Sequence, residues 1–337
     1  MTTVSGHGIV LLGIICLFFL STISFLKSQP EAISDDRVSG SELGTLRDFW
    51  KETIEEKGGA EAYRLFLEST PANDIADTHT QAHVFGEALY TVSGIDGVAH
   101  CDSSFEFGCY HSFFGSAIYT EGIQALSLFD EACASAYAGE NLPCQHGIGH
   151  GLLVYTGYEK LKDALVLCEE ISWQPIGGCS SGVFMEYNFH TMESVGSGGY
   201  YVRPLESDPY EPCSTVSQKH KQACYFDQVQ WWLSIYSRDY SRVAELCDGL
   251  KGDFQFYDAC VRGIGNYLAA DVDLEPTKIH QKCNEAMYDD VSNALCHEGA
   301  SWLVRGDGSG VADALLVCEG LVGDFRSDCI GSITPMR

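Results

Sequence analysis

The chain has 337 residues, 45% of them hydrophobic, and 47 Asp and Glu against 20 Lys and Arg, a formal net charge of −27. That size allows one large core or one extended array, and the polarity excludes a polytopic membrane protein. So acidic a surface excludes nucleic acid as a partner and docking on anionic lipid, while leaving cationic ligands and metal ions admissible.

The first element is an uncharged apolar run, Ile9 to Leu26. With Gly8 it makes 19 residues, about 28 Å as a helix, enough to cross the hydrocarbon core of a bilayer. It reads as a retained signal-anchor, a cleaved signal peptide or a segment lipidated through Cys16. No small-x-small cleavage site follows, which favours the anchor and makes residues 1–26 a transmembrane helix. Residues 27–42 are polar and read as a tether, leaving 43–337 as an extracytoplasmic domain. Leu43 to Thr70 has the pattern of one or two amphipathic helices that would cap the domain, and Pro71 to Asp77 makes a turn before the next helix.

Fourteen cysteines lie beyond the apolar run and fall, in order, into seven pairs: 101 and 109, 133 and 144, 168 and 179, 213 and 224, 247 and 260, 283 and 296, 318 and 329. The first cysteines of successive pairs advance by 32, 35, 45, 34, 36 and 35 residues, a period that marks a repeat built from one supersecondary unit. Before the first cysteine of a pair stands a helical run such as VADALLVC. After the second another begins, as in CVRGIGNYLAA, with a polar turn between them. The unit is therefore a helical hairpin. Behind an export signal an even set of regularly spaced cysteines reads as disulfides, each tying the end of one helix to the start of the next. Such a staple contributes about 3 kcal/mol on the chain-entropy model, and a hairpin this short cannot bury its apolar face alone. Glycine returns three places after the second cysteine, at Gly147, Gly182, Gly263 and Gly299. In mid-helix it costs about 1 kcal/mol relative to alanine, so its recurrence points to close approach of neighbouring helices.

What the repeat does not explain is a set of histidines. On the helix HTQAHVFGEALY, His79, His83 and Glu87 are spaced by four and share a face. His111 stands two places after Cys109. His146 stands at the matching place after Cys144, with His150 one turn further on. The third such helix carries Ser181 there, then Glu186 and His190. Two histidine pairs at i and i+4, with His111, on three helices that hairpin stacking places side by side, have the spacing by which helices chelate a transition metal. Imidazole ligation with a carboxylate suits zinc, iron or copper. Glu87 and Glu186 are the candidate oxygen ligands or catalytic bases. A lone His-x3-His pair can equally hydrogen-bond carbonyls in a tight interface. Later repeats hold Phe226, Arg262 and Glu298 at the matching place; His220, His280 and His297 read as isolated structural residues, and Trp231, Trp232 and Trp302 as core or groove residues. The segment from Thr191 to Pro212 adds about ten residues to the repeat period, and Tyr200, Tyr201 and Arg203 in it are candidates for a lid. No His-Glu-x-x-His or Gly-x-Ser-x-Gly run occurs, so no named hydrolytic mechanism is indicated.

The cysteine pairs with their Cys-x-x-Gly continuations, and the phrase RGDGSGVADALLVCEG from Arg305 to Gly320, resemble the disulfide-stapled Sel-like, tetratricopeptide-type repeats over Cys101 to Cys329. The resemblance implies a curved solenoid that binds a protein or peptide in its groove. The expectation is an all-α array of about seven stapled hairpins, open as a solenoid or closed as an α/α toroid. Its function would be that of a metal-dependent hydrolase or oxidase, or alternatively of a non-catalytic protein- or peptide-binding scaffold.

Overall fold

In the computed structural model residues 40–70, 75–137, 141–192, 201–306 and 310–333 are described, and among them there are helices and turns but no strand. The apolar run and the tether lie outside the described residues; among these no helix is long and apolar enough to cross a membrane. Residues Arg37–Arg337 form one compact unit. Its helices are α1 (Gly40–Lys57), α2 (Gly59–Ser69), α3 (Ile75–Ser93), α4 (Gly108–Glu121), α5 (Leu126–Tyr137), α6 (Leu142–Thr156), α7 (Leu161–Leu167), α8 (Cys179–Phe189), α9 (Lys221–Ile235), α10 (Tyr240–Asp248), α11 (Phe254–Asp271), α12 (Pro276–Ala286), α13 (Asp290–Gly306), α14 (Gly310–Cys318) and α15 (Gly323–Ile333).

All seven disulfides join the consecutive cysteines, with Cα–Cα distances between 5.4 and 5.9 Å. The hairpins are regular from α5–α6 onward, with one exception. Cys213 sits in irregular chain, residues 201–217 carrying no helix. In the first repeat the role of the first helix falls to a short 3-10 turn, Gly94–His100. Local chemistry sets the helix ends. The Asp239 carboxylate accepts from the Arg242 amide at the start of α10, and Asp253 accepts from Gln255 at the start of α11, satisfying amides that have no partner within the helix. Gly157, at φ 100°, ends α6 in a conformation unfavourable for any residue with a Cβ.

The second helices of the hairpins stack in chain order. α1 packs on α3, α3 on α4, α4 on α6, α6 on α8, α8 on α9, α9 on α11, α11 on α13 and α13 on α15, while α10, α12 and α14 form an outer layer. The core lies between the layers and includes Phe85, Phe113, Ile148, Phe184, Trp231, Trp232 and Ile264, all fully buried. Trp231 and Trp232 are thus core residues; their indole N–H groups donate to the carbonyls of Arg203 and Pro209.

The recurring glycines mark the backbone contacts between stacked helices. A Cβ on Gly182 of α8 would stand 2.0 Å from the His146 carbonyl oxygen of α6, and one on Gly299 of α13 would stand 1.9 Å from that of Arg262 on α11. These separations lie well inside van der Waals contact, so a methyl group forces the helices apart. Gly182→Ala is accordingly expected to lower the denaturation free energy by about 1–3 kcal/mol, whereas Gly252→Ala, where nothing lies within 4 Å of the added carbon, leaves it nearly unchanged. Urea melts of the two variants at neutral pH check this, and equal midpoints would show that α6 and α8 tolerate separation.

Candidate metal centre

Stacking brings the five histidines together. From α3 come His79 and His83, from α4 His111, and from α6 His146 and His150. His83, His111, His146 and His150 are at most 8% exposed. Adjacent rings lie 4.6 Å apart between His79 and His83, 5.2 Å between His83 and His111, 4.0 Å between His111 and His150 and 4.8 Å between His146 and His150. Their nitrogens form two groups, His79 with His83 and His111, and His111 with His146 and His150, with donor atoms within 4.8 Å of one another in each.

The outer hydrogen bonds decide where several of the lone pairs point. His79 Nδ1 lies 2.7 Å from the Phe105 carbonyl, and His150 Nδ1 lies 2.9 Å from Glu186 Oε2, so both must donate there. A ring that donates through Nδ1 and carries no second proton turns a bare Nε2 atom inward. His83 Nδ1 is engaged by the Ser112 hydroxyl at 2.9 Å. Inside the cluster the Nε2 atoms of His79 and His83 are 3.0 Å apart, those of His146 and His150 also 3.0 Å, and His83 Nε2 is 3.2 Å from His111 Nδ1. Two nitrogens bound to one tetrahedral ion at 2.0–2.1 Å would be about 3.3 Å apart, so these pairs need little movement to chelate. His111 Nε2 is buried and has no hydrogen-bond partner. It is unsatisfied in either tautomer, a debt of about 1–3 kcal/mol that an ion would cancel.

Glu186, on α8, is fully buried and orders this cluster from behind. Besides His150 it accepts from the Tyr158 hydroxyl at 2.6 Å, from the Thr191 hydroxyl and from the Met192 amide at 3.2 Å. Burial pushes its carboxyl up, but the bonds to His150, Thr191 and Tyr158 outweigh burial and hold it below the usual value. A carboxylate behind an imidazole in this way fixes the tautomer and raises ligand basicity, the usual outer partner of a metal-bound histidine. Burial, reinforced by the neighbouring imidazoles, holds His83, His111 and His146 well below the ordinary histidine value. For His79 burial lowers it too, against Glu106 and the Phe105 carbonyl. Neutral imidazole is the form that ligates.

The other expected residues are placed differently. Glu87 turns away from the histidines on its own helix and pairs with Arg47 at 2.8 Å. His190 is sandwiched between Tyr158 at 3.6 Å and Tyr201 at 3.8 Å. Through Tyr201 the Thr191–Pro212 segment latches onto α8, and Arg203 turns inward, bonded to Asn188 and lying 3.8 Å over the Trp231 ring. Tyr200 lies outside the described residues. His280 and His297 are not isolated, since His297 Nε2 is 2.9 Å from His280 Nδ1. His220 bonds Ser180 and Glu169. Tyr158 and Thr191 escaped sequence reasoning because nothing local marks them. Ser112 and Asp227 carried a signal, since each stands three places after its cysteine, where four other repeats have glycine. Of the two, Asp227 is the ionisable one. It is buried, with Oδ2 unpartnered, and burial pushes its carboxyl up to about 8 against weaker bonds from Ser181 and Tyr267.

No family model, curated protein or solved structure matches the chain.

The neutral histidines make stability depend on pH. Below about 6.5 the unfolded imidazoles take up protons that the folded ones refuse, so the unfolded state binds more protons and stability is lost as the pH drops. Each such group contributes up to about 1.4 kcal/mol per pH unit. Asp227, protonated in the fold up to about pH 8, acts in the opposite direction with the weight of one group. Denaturant melts of the metal-free, disulfide-intact protein at pH 7.5 and 5.5 are expected to show a clear loss at the lower pH that shrinks in His146→Phe. A flat profile would mean that the rings protonate freely within the fold.

Proposed function

We propose that this protein binds a transition metal, zinc, iron or copper, through its buried histidine cluster in an oxidising, extracytoplasmic compartment. The single observation that carries the reading is the convergence of imidazole nitrogens from three helices, with His150 held by Glu186 and one imidazole nitrogen left without any partner. The seven disulfides support the compartment, since such bonds persist where thiols are oxidised. Anchoring by the apolar run Ile9 to Leu26 completes the proposal.

Three imidazoles around an ion leave a coordination position open, the arrangement from which both hydrolysis and oxidation are catalysed. The burial of the cluster favours oxidation or electron transfer, because a small molecule, an electron or a proton reaches such a depth more readily than a polymer. Described surface clefts, around Lys160 and Arg203 and around Pro276 and His280, lie elsewhere. Glu186 acts here as a positioning residue for His150, and Glu87 lies outside the assembled set. The competing reading, a peptide-binding scaffold, needs an aromatic groove, and Trp231 and Trp232, which would have lined one, are fully buried.

Elemental analysis of the full-length chain, purified without a histidine tag or added metal, is expected to find at least one transition ion per molecule. The double variant His146→Ala/His150→Ala is expected to lose it, and Glu186→Gln to weaken binding about 10–100-fold, the usual effect of removing an outer partner. A metal-free chain that also fails to take up zinc or copper from solution would overturn the proposal; on the scaffold reading the double variant keeps its full partner affinity.

A further inference from the structure

His111 differs from its neighbours in one respect. His79, His83 and His150 each spend Nδ1 on a group outside the cluster, the Phe105 carbonyl, the Ser112 hydroxyl and Glu186. Neither His111 nor His146 makes such an outside bond among the described residues, but of the five rings only His111 keeps a buried nitrogen without a partner. Its Nδ1 faces His83 Nε2 at 3.2 Å, and its Nε2 is buried without a partner. It also belongs to both groups of donor atoms, with His79 and His83 on one side and with His146 and His150 on the other. The five donors thus fall into two sets that share one ring. A ring serves two sets at once only through its two nitrogens.

We infer that His111 is a bridging ligand: two transition ions bind, one to His79, His83 and Nδ1 of His111, the other to His146, His150 and Nε2 of His111. The inference rests on the metal-binding reading above and goes beyond it in the number of ions and the link between them. Binding of the second ion displaces the remaining N–H proton of His111, which leaves to solvent, and the ring becomes an imidazolate. Two metal–nitrogen bonds of 2.0–2.1 Å across an imidazole set the ions about 6 Å apart. The buried Glu186 carboxylate and the imidazolate offset part of the added charge. Each ion has three nitrogen ligands, a donor set for which copper(II) has the highest affinity among the divalent first-row ions.

Copper(II) is the probe that separates the possibilities, because unpaired electrons on two copper ions joined through an imidazolate couple and cancel. The full-length protein, stripped with a chelator and titrated with copper(II) at neutral pH, is expected to take up two ions per chain. Its low-temperature paramagnetic resonance signal is expected to account for only a small fraction of that copper. His111→Phe, which keeps the ring volume, is expected to show full spin for whatever copper it retains. His79→Ala is expected to bind one ion with full spin. Two coppers with full, uncoupled spin in the wild type would overturn the bridge and keep the metal site, as would one copper per chain. No copper uptake at all would overturn the metal reading and the bridge together. If His111→Phe does not fold, the wild-type stoichiometry and spin count decide alone.

Discussion

The contact on which everything else depends is between backbones. α8 lies against α6 so closely that Gly182 has no space for a methyl group over the His146 carbonyl, and Gly149 of α6 stands in the same relation to Cys179 of α8. The disulfide at the head of each inner helix fixes where that helix begins, and the glycine contact fixes how near its neighbour comes. Together they set the register in which side chains from three helices meet. With helices one methyl group further apart, the 3.0 Å contact within α3 would survive, but the 3.2 Å contact between His83 of α3 and His111 of α4 would lose the spacing that joins the two into a donor set. The scaffold and the site are consequences of the same packing.

Much of this was legible in the residues and some was not, for physical reasons. Cysteine spacing revealed the hairpins and their pairing because a staple acts locally, over 8 to 13 residues. The glycines revealed the stacking because their cost in a helix demands a compensating contact. The i, i+4 rule placed His79 beside His83 and His146 beside His150, and the repeat phase brought His111 between them. The same rule placed Glu87 on the face of His83, and there it misled. A long side chain at the edge of a face goes to the nearest cation, and Arg47 of α1 lies across from it, a contact no periodicity encodes. The sandwich around His190 and the Tyr158 bond to Glu186 likewise join segments whose meeting depends on the path of the long loop. The spacing also showed the extra length there but not that Cys213 would sit in irregular chain.

Electrostatically the molecule separates two regimes. Acidic residues are in large excess along the chain, yet the buried cluster is made of imidazoles with one ionised carboxylate behind it. Desolvation disfavours the charged form of His83, His111 and His146, and Glu186 stays charged only because four donors converge on it. Asp227, with weaker bonds, keeps its proton instead. Two buried carboxyl groups on adjacent helices thus hold opposite states according to the number of hydrogen bonds each receives.

In two pairs of adjacent hairpins the side chains two residues after the second cysteine meet. His111 and His146 lie 5.7 Å apart between ring centres, and Arg262 pairs with Glu298. Backbone contacts and staples do not involve this residue's side chain. The architecture therefore behaves as a rack with exchangeable inserts, in which a histidine cluster in one bay and an ion pair in another are alternative fillings of one mould. Such a mould lets chemistry diversify bay by bay during evolution while the frame that holds the bays stays the same.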